Sequence, residues 1–144
     1  MVKPKYDNIE SFFNDIKTDE LEELIPLFGY DTKWEVGQEF NLYYFQRFLK
    51  GIRDGESDWK FLSDKAKDGY GKLPLKVVNY EHASSTDMDH GALTDTYTVK
   101  INNKFYEFDF HYYGQYEFDK GVTKHEPVFE VVPKEITTIK YERV

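Results

Sequence analysis

Two runs of alternating apolar and polar residues, Leu93–Ile101 and Lys104–Tyr113, are separated only by Asn102-Asn103. A two-residue link between such runs predicts a hairpin with a type I′ turn, whose two central residues need positive φ, a region that asparagine tolerates. That turn sets the register. If Ile101 faces Lys104, then Val99 faces Tyr106, Tyr97 faces Phe108, Asp95 faces Phe110 and Leu93 faces Tyr112. One face is then Leu93, Tyr97, Val99, Tyr106, Phe108, Phe110 and Tyr112, with Asp95 the single polar intruder. The other face pairs Thr98 with Glu107, Thr96 with Asp109, and Thr94 with His111. A slip of one residue would scramble both faces, so turn and pattern support one another.

A half-apolar sheet needs a cover, and the residues before Gly71 supply one at helical spacing. Asp7 or Asn8 is expected to cap a short helix carrying Ile9, Phe12, Phe13 and Ile16, with Glu10 three residues after Asp7 as in a capping box. Thr18 caps a second helix that opens on Asp19 and Glu20, where the dipole favours acids, and that Pro26 ends or kinks. A third helix is predicted from about Gln38 to Lys50 with a wide apolar face, and a fourth from Ser57 to Gly69. After Gly71 the period changes. A strand from Leu73 to His82 carries Pro74 near its start, which suits an edge or a strand end. Residues 83–91 read as a polar loop. Beyond the hairpin, Tyr116 and Phe118, then Val122–Val132 interrupted by Pro127, then Ile136–Tyr141 read as further strands, with a turn at 119–121. The expectation is one α+β domain over 1–144. About four short helices (about 7–69) would form a layer on one face of a curved antiparallel sheet of about four to six strands (about 73–142).

Composition narrows function more than it identifies it. The 144 residues include no cysteine, which removes disulfides, thiolate metal sites and cysteine nucleophiles. The N-terminal MVKPKYDNIE lacks the apolar run of a signal peptide, and no stretch approaches the roughly 18 apolar residues of a membrane span. The chain is therefore expected in the cytoplasm. Twenty-seven acidic against 19 basic residues give a net charge of −8. That charge opposes direct binding to nucleic acid or anionic membranes and favours basic protein partners. There are 12 Tyr, 12 Phe and 2 Trp, a supply that fits either an aromatic contact surface or an aromatic-rich sheet.

Catalytic patterns are missing: there is no Gly-x-Ser-x-Gly elbow, Walker loop, Gly-x-Gly-x-x-Gly or His-Glu-x-x-His. Asp87-Met88-Asp89-His90-Gly91 resembles the start of a calcium loop, but Gly91 falls at its fifth position and Ala92 at its sixth, so the pattern fails. The row Glu107, Asp109 and His111 shares one side of a strand and is able in principle to hold a cation or move a proton. It reads instead as the solvated side of a half-exposed sheet, and no metal or cofactor is expected. Asp95 reads as a strand-end residue near water. The densest acidic stretch includes Glu20, Glu22, Glu23, Asp31, Glu35 and Glu39, interleaved with Tyr30 and Trp34.

Two functions fit. The favoured one is a non-enzymatic acidic binding protein that occludes a basic surface on another protein, possibly one that acts on nucleic acid, in the manner of immunity proteins, antitoxins and phage inhibitors of host defence. Its partner-binding residues would be Glu20, Glu22, Glu23, Tyr30, Asp31, Trp34, Glu35 and Glu39. The alternative is a small-ligand-binding domain or modest enzyme with an aromatic pocket between helices and sheet, using Asp95, Glu107, Asp109 and His111. The direction of the surplus tyrosines, outward in a patch or inward around a cavity, separates the two.

Overall fold

A computed structural model describes residues 3–28, 33–54, 64–84, 92–113, 126–133 and 143. Among them, four helices precede four strands in an open antiparallel sheet, giving an α+β fold. The helices are α1 (Ile9–Ile16), α2 (Asp19–Leu24), α3 (Leu42–Asp54) and α4 (Asp64–Gly71). The strands β1 (Leu75–Ser84), β2 (Ala92–Ile101), β3 (Lys104–Tyr113) and β4 (Phe129–Val131) lie side by side in chain order.

Helix starts follow local chemistry. The Asn8 side chain accepts from Ser11 N at 2.7 Å and opens α1, so Asn8 rather than Asp7 is the cap and the expected box with Glu10 does not form. Thr18 Oγ1 accepts from Leu21 N at 3.1 Å and opens α2. Pro26 sits in a 3-10 turn, Ile25–Leu27, that finishes this segment. The third helix begins later than its apolar spacing suggests, because Asn41 Oδ1 accepts from Tyr44 N at 2.9 Å and caps it there. Gly51 does not end it; the helix runs on to Asp54. The fourth helix is described from Asp64 onward, and Ser57, Trp59 and Leu62 lie outside the described residues.

The hairpin has the expected register at every position, Val99 against Tyr106 and Asp95 against Phe110 included. Asn102 and Asn103 have φ of 49° and 68°, the signs a type I′ turn requires. β1 occupies an edge beside β2 and begins just after Pro74, which has no N–H to give a neighbour. Its pairing shifts between Val77 and Asn79, leaving Val78 exposed. Of the expected run Val122–Val132, residues 122–125 lie outside the described residues. The part beyond Pro127 is the short β4, preceded by Val128 in a bridge with Tyr6. The expected strands at 116–118 and 136–141, and the 119–121 turn, lie outside the described residues.

The helical layer and the sheet share one buried cluster. Phe12 and Phe13 of α1, Phe45, Phe48 and Leu49 of α3, and Tyr97, Phe108 and Phe110 of the hairpin are all at most 2% exposed. Phe12 meets Tyr106 and Phe108 with ring centroids 5.2 and 5.5 Å apart, and Phe45 meets Phe108 at 6.2 Å. Such pairs add about 0.5–1.5 kcal/mol each beyond the area they bury. No aromatic residue among those described is exposed. Among the described residues, the buried rings of this cluster join helices to sheet.

Candidate functional site

Glu22 organises the acidic layer from inside. It is 3% exposed, although the other acidic residues of α2, Asp19, Glu20 and Glu23, are exposed. Its Oε1 accepts from Trp34 Nε1 at 3.3 Å and from Gly37 N at 3.1 Å. A buried carboxylate is tolerable only when donors of this kind compensate it. Trp34, 6% exposed, packs edge-on against Phe13 at 5.3 Å. Gly37 has φ of 86°, a conformation for which glycine is suited, and this turns its N–H toward α2. The 33–40 segment is thereby stitched onto α2.

This stitch divides the expected contact residues. Glu22 and Trp34 are buried and engaged with each other, so the expectation that they meet a partner is corrected: they shape the layer and do not form its surface. Glu20, Glu23, Glu35 and Glu39 are exposed, and none has an ion-pair partner among the described residues. Tyr30 and Asp31 lie outside the described residues. Nearby, Tyr6 donates its hydroxyl to Asp15 at 2.5 Å. That hydrogen bond, then burial, then the carboxylate's charge push the phenol's pKa up to about 12.

A second centre surrounds Asp95. It does not sit near water at a strand end; it is 3% exposed on the helix-facing side of β2. Its Oδ1 accepts from the Tyr80 hydroxyl at 2.8 Å and lies 2.6 Å from His82 Nδ1. Its Oδ2 accepts from Gln46 Nε2 of α3 at 3.5 Å. His82 stands directly across from Asp95 in the sheet, and Tyr80 is the diagonal neighbour. Burial, then the bond to Asp95, raise the Tyr80 pKa, while the Arg53 guanidinium, 3.9 Å above the ring, works against them. Both oxygens of Asp95 are therefore occupied by groups of the fold. Tyr80, His82 and Gln46 escaped sequence reasoning. Aligning β1 with β2 would have found the first two, but the sequence between the two strands carries no turn pattern that fixes that register.

The third centre is the polar row. Glu107, Asp109 and His111 share one side of β3 as expected, and all three are half-buried. Thr96 donates its hydroxyl to Asp109 Oδ1 at 2.6 Å, and Thr94 Oγ1 lies 2.8 Å from His111 Nδ1. Glu126, unnoticed in the sequence, brings Oε1 to 3.3 Å from His111 Nε2, while Asp109 Oδ2 stands 4.0 Å from the same nitrogen. Nothing in the local pattern around Glu126 signals this meeting. Glu107 is not part of the group. Asp95, on the opposite side of the sheet, does not join it, so the four residues of the alternative ligand site fall into two places.

Among the described residues, no helix is long and apolar enough to cross a membrane. No family model, curated protein or solved structure matches the chain.

Proposed function

We propose that this is a non-enzymatic acidic binding protein that occludes a basic surface of another protein, as immunity proteins, antitoxins and phage inhibitors of host defence do. One observation carries the reading. Glu20, Glu23, Glu35 and Glu39 stand exposed and without ion-pair partners among the described residues, on two segments that buried Glu22 ties together. Exposed carboxylates without counter-ions favour a cationic partner. With a net charge of −8, the chain as a whole attracts such a partner over distance. A surface built to bind phosphates is the natural complement, since it is rich in Lys and Arg. A cytoplasmic setting goes with this role, because nucleic-acid-acting proteins work there.

The test is a paired capture from the native host. Wild type and the E20K/E23K/E35K/E39K variant are immobilised side by side, with far-UV circular dichroism confirming that both are folded. A basic protein retained by wild type and lost from the variant supports the proposal. Equal retention on both, or no retained protein, contradicts it.

A further inference from the structure

On the face of the sheet turned away from the helices, ligating atoms from two chain segments converge. We propose that Asp109, His111 and Glu126 form a site for a divalent transition cation of the zinc class, which clamps the approach to β4 onto β3.

The ligand atoms are already oriented. Asp109 and His111 are two apart on β3 and so project to the same side. Thr94 Oγ1 lies 2.8 Å from His111 Nδ1; in the tautomer whose Nδ1–H donates to it, Nε2 keeps its lone pair for a cation, the arrangement that metal-binding imidazoles use. Thr96 occupies Asp109 Oδ1 and leaves Oδ2 as the oxygen nearest His111. Glu126 is anchored from its other side: Pro127 restricts the backbone, and Val128 exchanges hydrogen bonds with Tyr6.

The spacing brings the three ligand atoms near enough for one ion to draw them together. The three atoms lie within 4.8 Å of one another, with Nε2 3.3 Å from Glu126 Oε1 and 4.0 Å from Asp109 Oδ2. Charge-assisted hydrogen bonds would draw such atoms to about 2.7–2.9 Å. Ligands around a tetrahedral zinc, each at about 2.0–2.1 Å, sit roughly 3.4 Å apart, which the His111–Glu126 separation of 3.3 Å matches and which Asp109 Oδ2 reaches by closing in from 4.0 Å. One imidazole with two carboxylates suits zinc, whereas magnesium and calcium prefer oxygen alone. Three protein ligands leave one position for water. The role is structural. β4 pairs with β3 over only three residues, and a cation at Glu126 fastens the chain immediately before it. The site lies across the sheet from the acidic layer and is independent of the docking proposal.

The test uses the full chain freed of metal with a chelator, titrated calorimetrically with zinc, magnesium and calcium chlorides and followed by thermal unfolding. Zinc is expected to bind at one equivalent and raise the Tm, while magnesium and calcium leave it unchanged. His111→Gln and Glu126→Gln should each weaken zinc binding at least about tenfold, the scale on which loss of even a supporting group is felt. Glu107→Gln, in the same row, should bind as wild type does. In wild type, the His111 Nε2 nitrogen resonance should shift on zinc addition, a readout that depends on no variant. No saturable zinc binding, binding that survives both substitutions, or an equal response to magnesium and calcium would overturn the site.

Discussion

Removing the Glu22 carboxylate should cost far more than removing the carboxylate beside it. In Glu22→Ala two donors, Trp34 Nε1 and Gly37 N, lose their acceptor, and the indole lies in a nearly closed environment. An unsatisfied buried donor costs about 1–3 kcal/mol. Both bonds are long, at 3.3 and 3.1 Å, and loss of the charge also removes its own desolvation cost, so we place the total at about 2–4 kcal/mol. Glu22→Gln keeps an acceptor oxygen but not the charge and should cost about 1 kcal/mol. Glu23→Ala, on the exposed side of α2, should stay within about 0.5 kcal/mol. Urea unfolding followed by far-UV circular dichroism measures all three from their midpoints at constant slope. In a Trp59→Phe background, Trp34 is the only indole, and its emission should move to longer wavelength in Glu22→Ala as the 33–40 segment loosens. Equal midpoints for Glu22→Ala and Glu23→Ala would refute the stitch and, with it, the idea that a fixed layer presents the glutamates.

Three further outcomes follow from the same geometry. Asn103→Gly should be neutral or slightly stabilising and Asn103→Val should cost about 1–2 kcal/mol, both read by urea unfolding, because φ at this position is 68° and a branched side chain resists positive φ. Phe108→Ala should lose about 3–5 kcal/mol in the same assay, since its ring is 2% exposed and packs on Phe12, Phe45 and Tyr97. Ultraviolet titration of the tyrosines should show one phenol ionising near pH 12, lost in Tyr6→Phe and shifted downward in Asp15→Asn. The folded pKa of Tyr6 is raised, so the folded state holds this proton more tightly. Its contribution is therefore complete below about pH 10, the ordinary tyrosine value, and declines as pH climbs toward 12.

The hairpin was legible because two independent local signals, the Asn102-Asn103 turn and the alternation on both sides of it, demanded one register. The helix cap at Thr18 was legible for the same local reason, whereas the sequence left Asp7 and Asn8 both open as the first cap. The start of α3 was not, because apolar spacing extends back to Phe40 while the backbone bonds that begin the helix depend on Asn41. Residues whose environment comes from distant chain were misread. Asp95 looked exposed because Tyr80, His82 and Gln46 belong to β1 and α3, and Glu22 and Trp34 looked like surface because their mutual bond spans 12 residues of sequence. Glu126 passed unnoticed because its relation to His111 exists only once β3 and the approach to β4 are side by side. Composition suggested acidity as a trait of the whole chain; of the acidic residues singled out in the sequence, Glu20, Glu23, Glu35 and Glu39 are exposed and Glu22 is buried.

The most direct test of the docking proposal is the association rate with the captured partner as a function of salt, measured for wild type and for E20K/E23K/E35K/E39K. At about 0.15 M salt the field of surface charges extends only roughly 8 Å. The wild-type on-rate should therefore fall steeply as salt is added, while the off-rate changes little. The variant should associate slowly at every salt concentration. An on-rate insensitive to salt, or a variant that associates as fast as wild type, would contradict the claim that this acidic layer is what the partner meets.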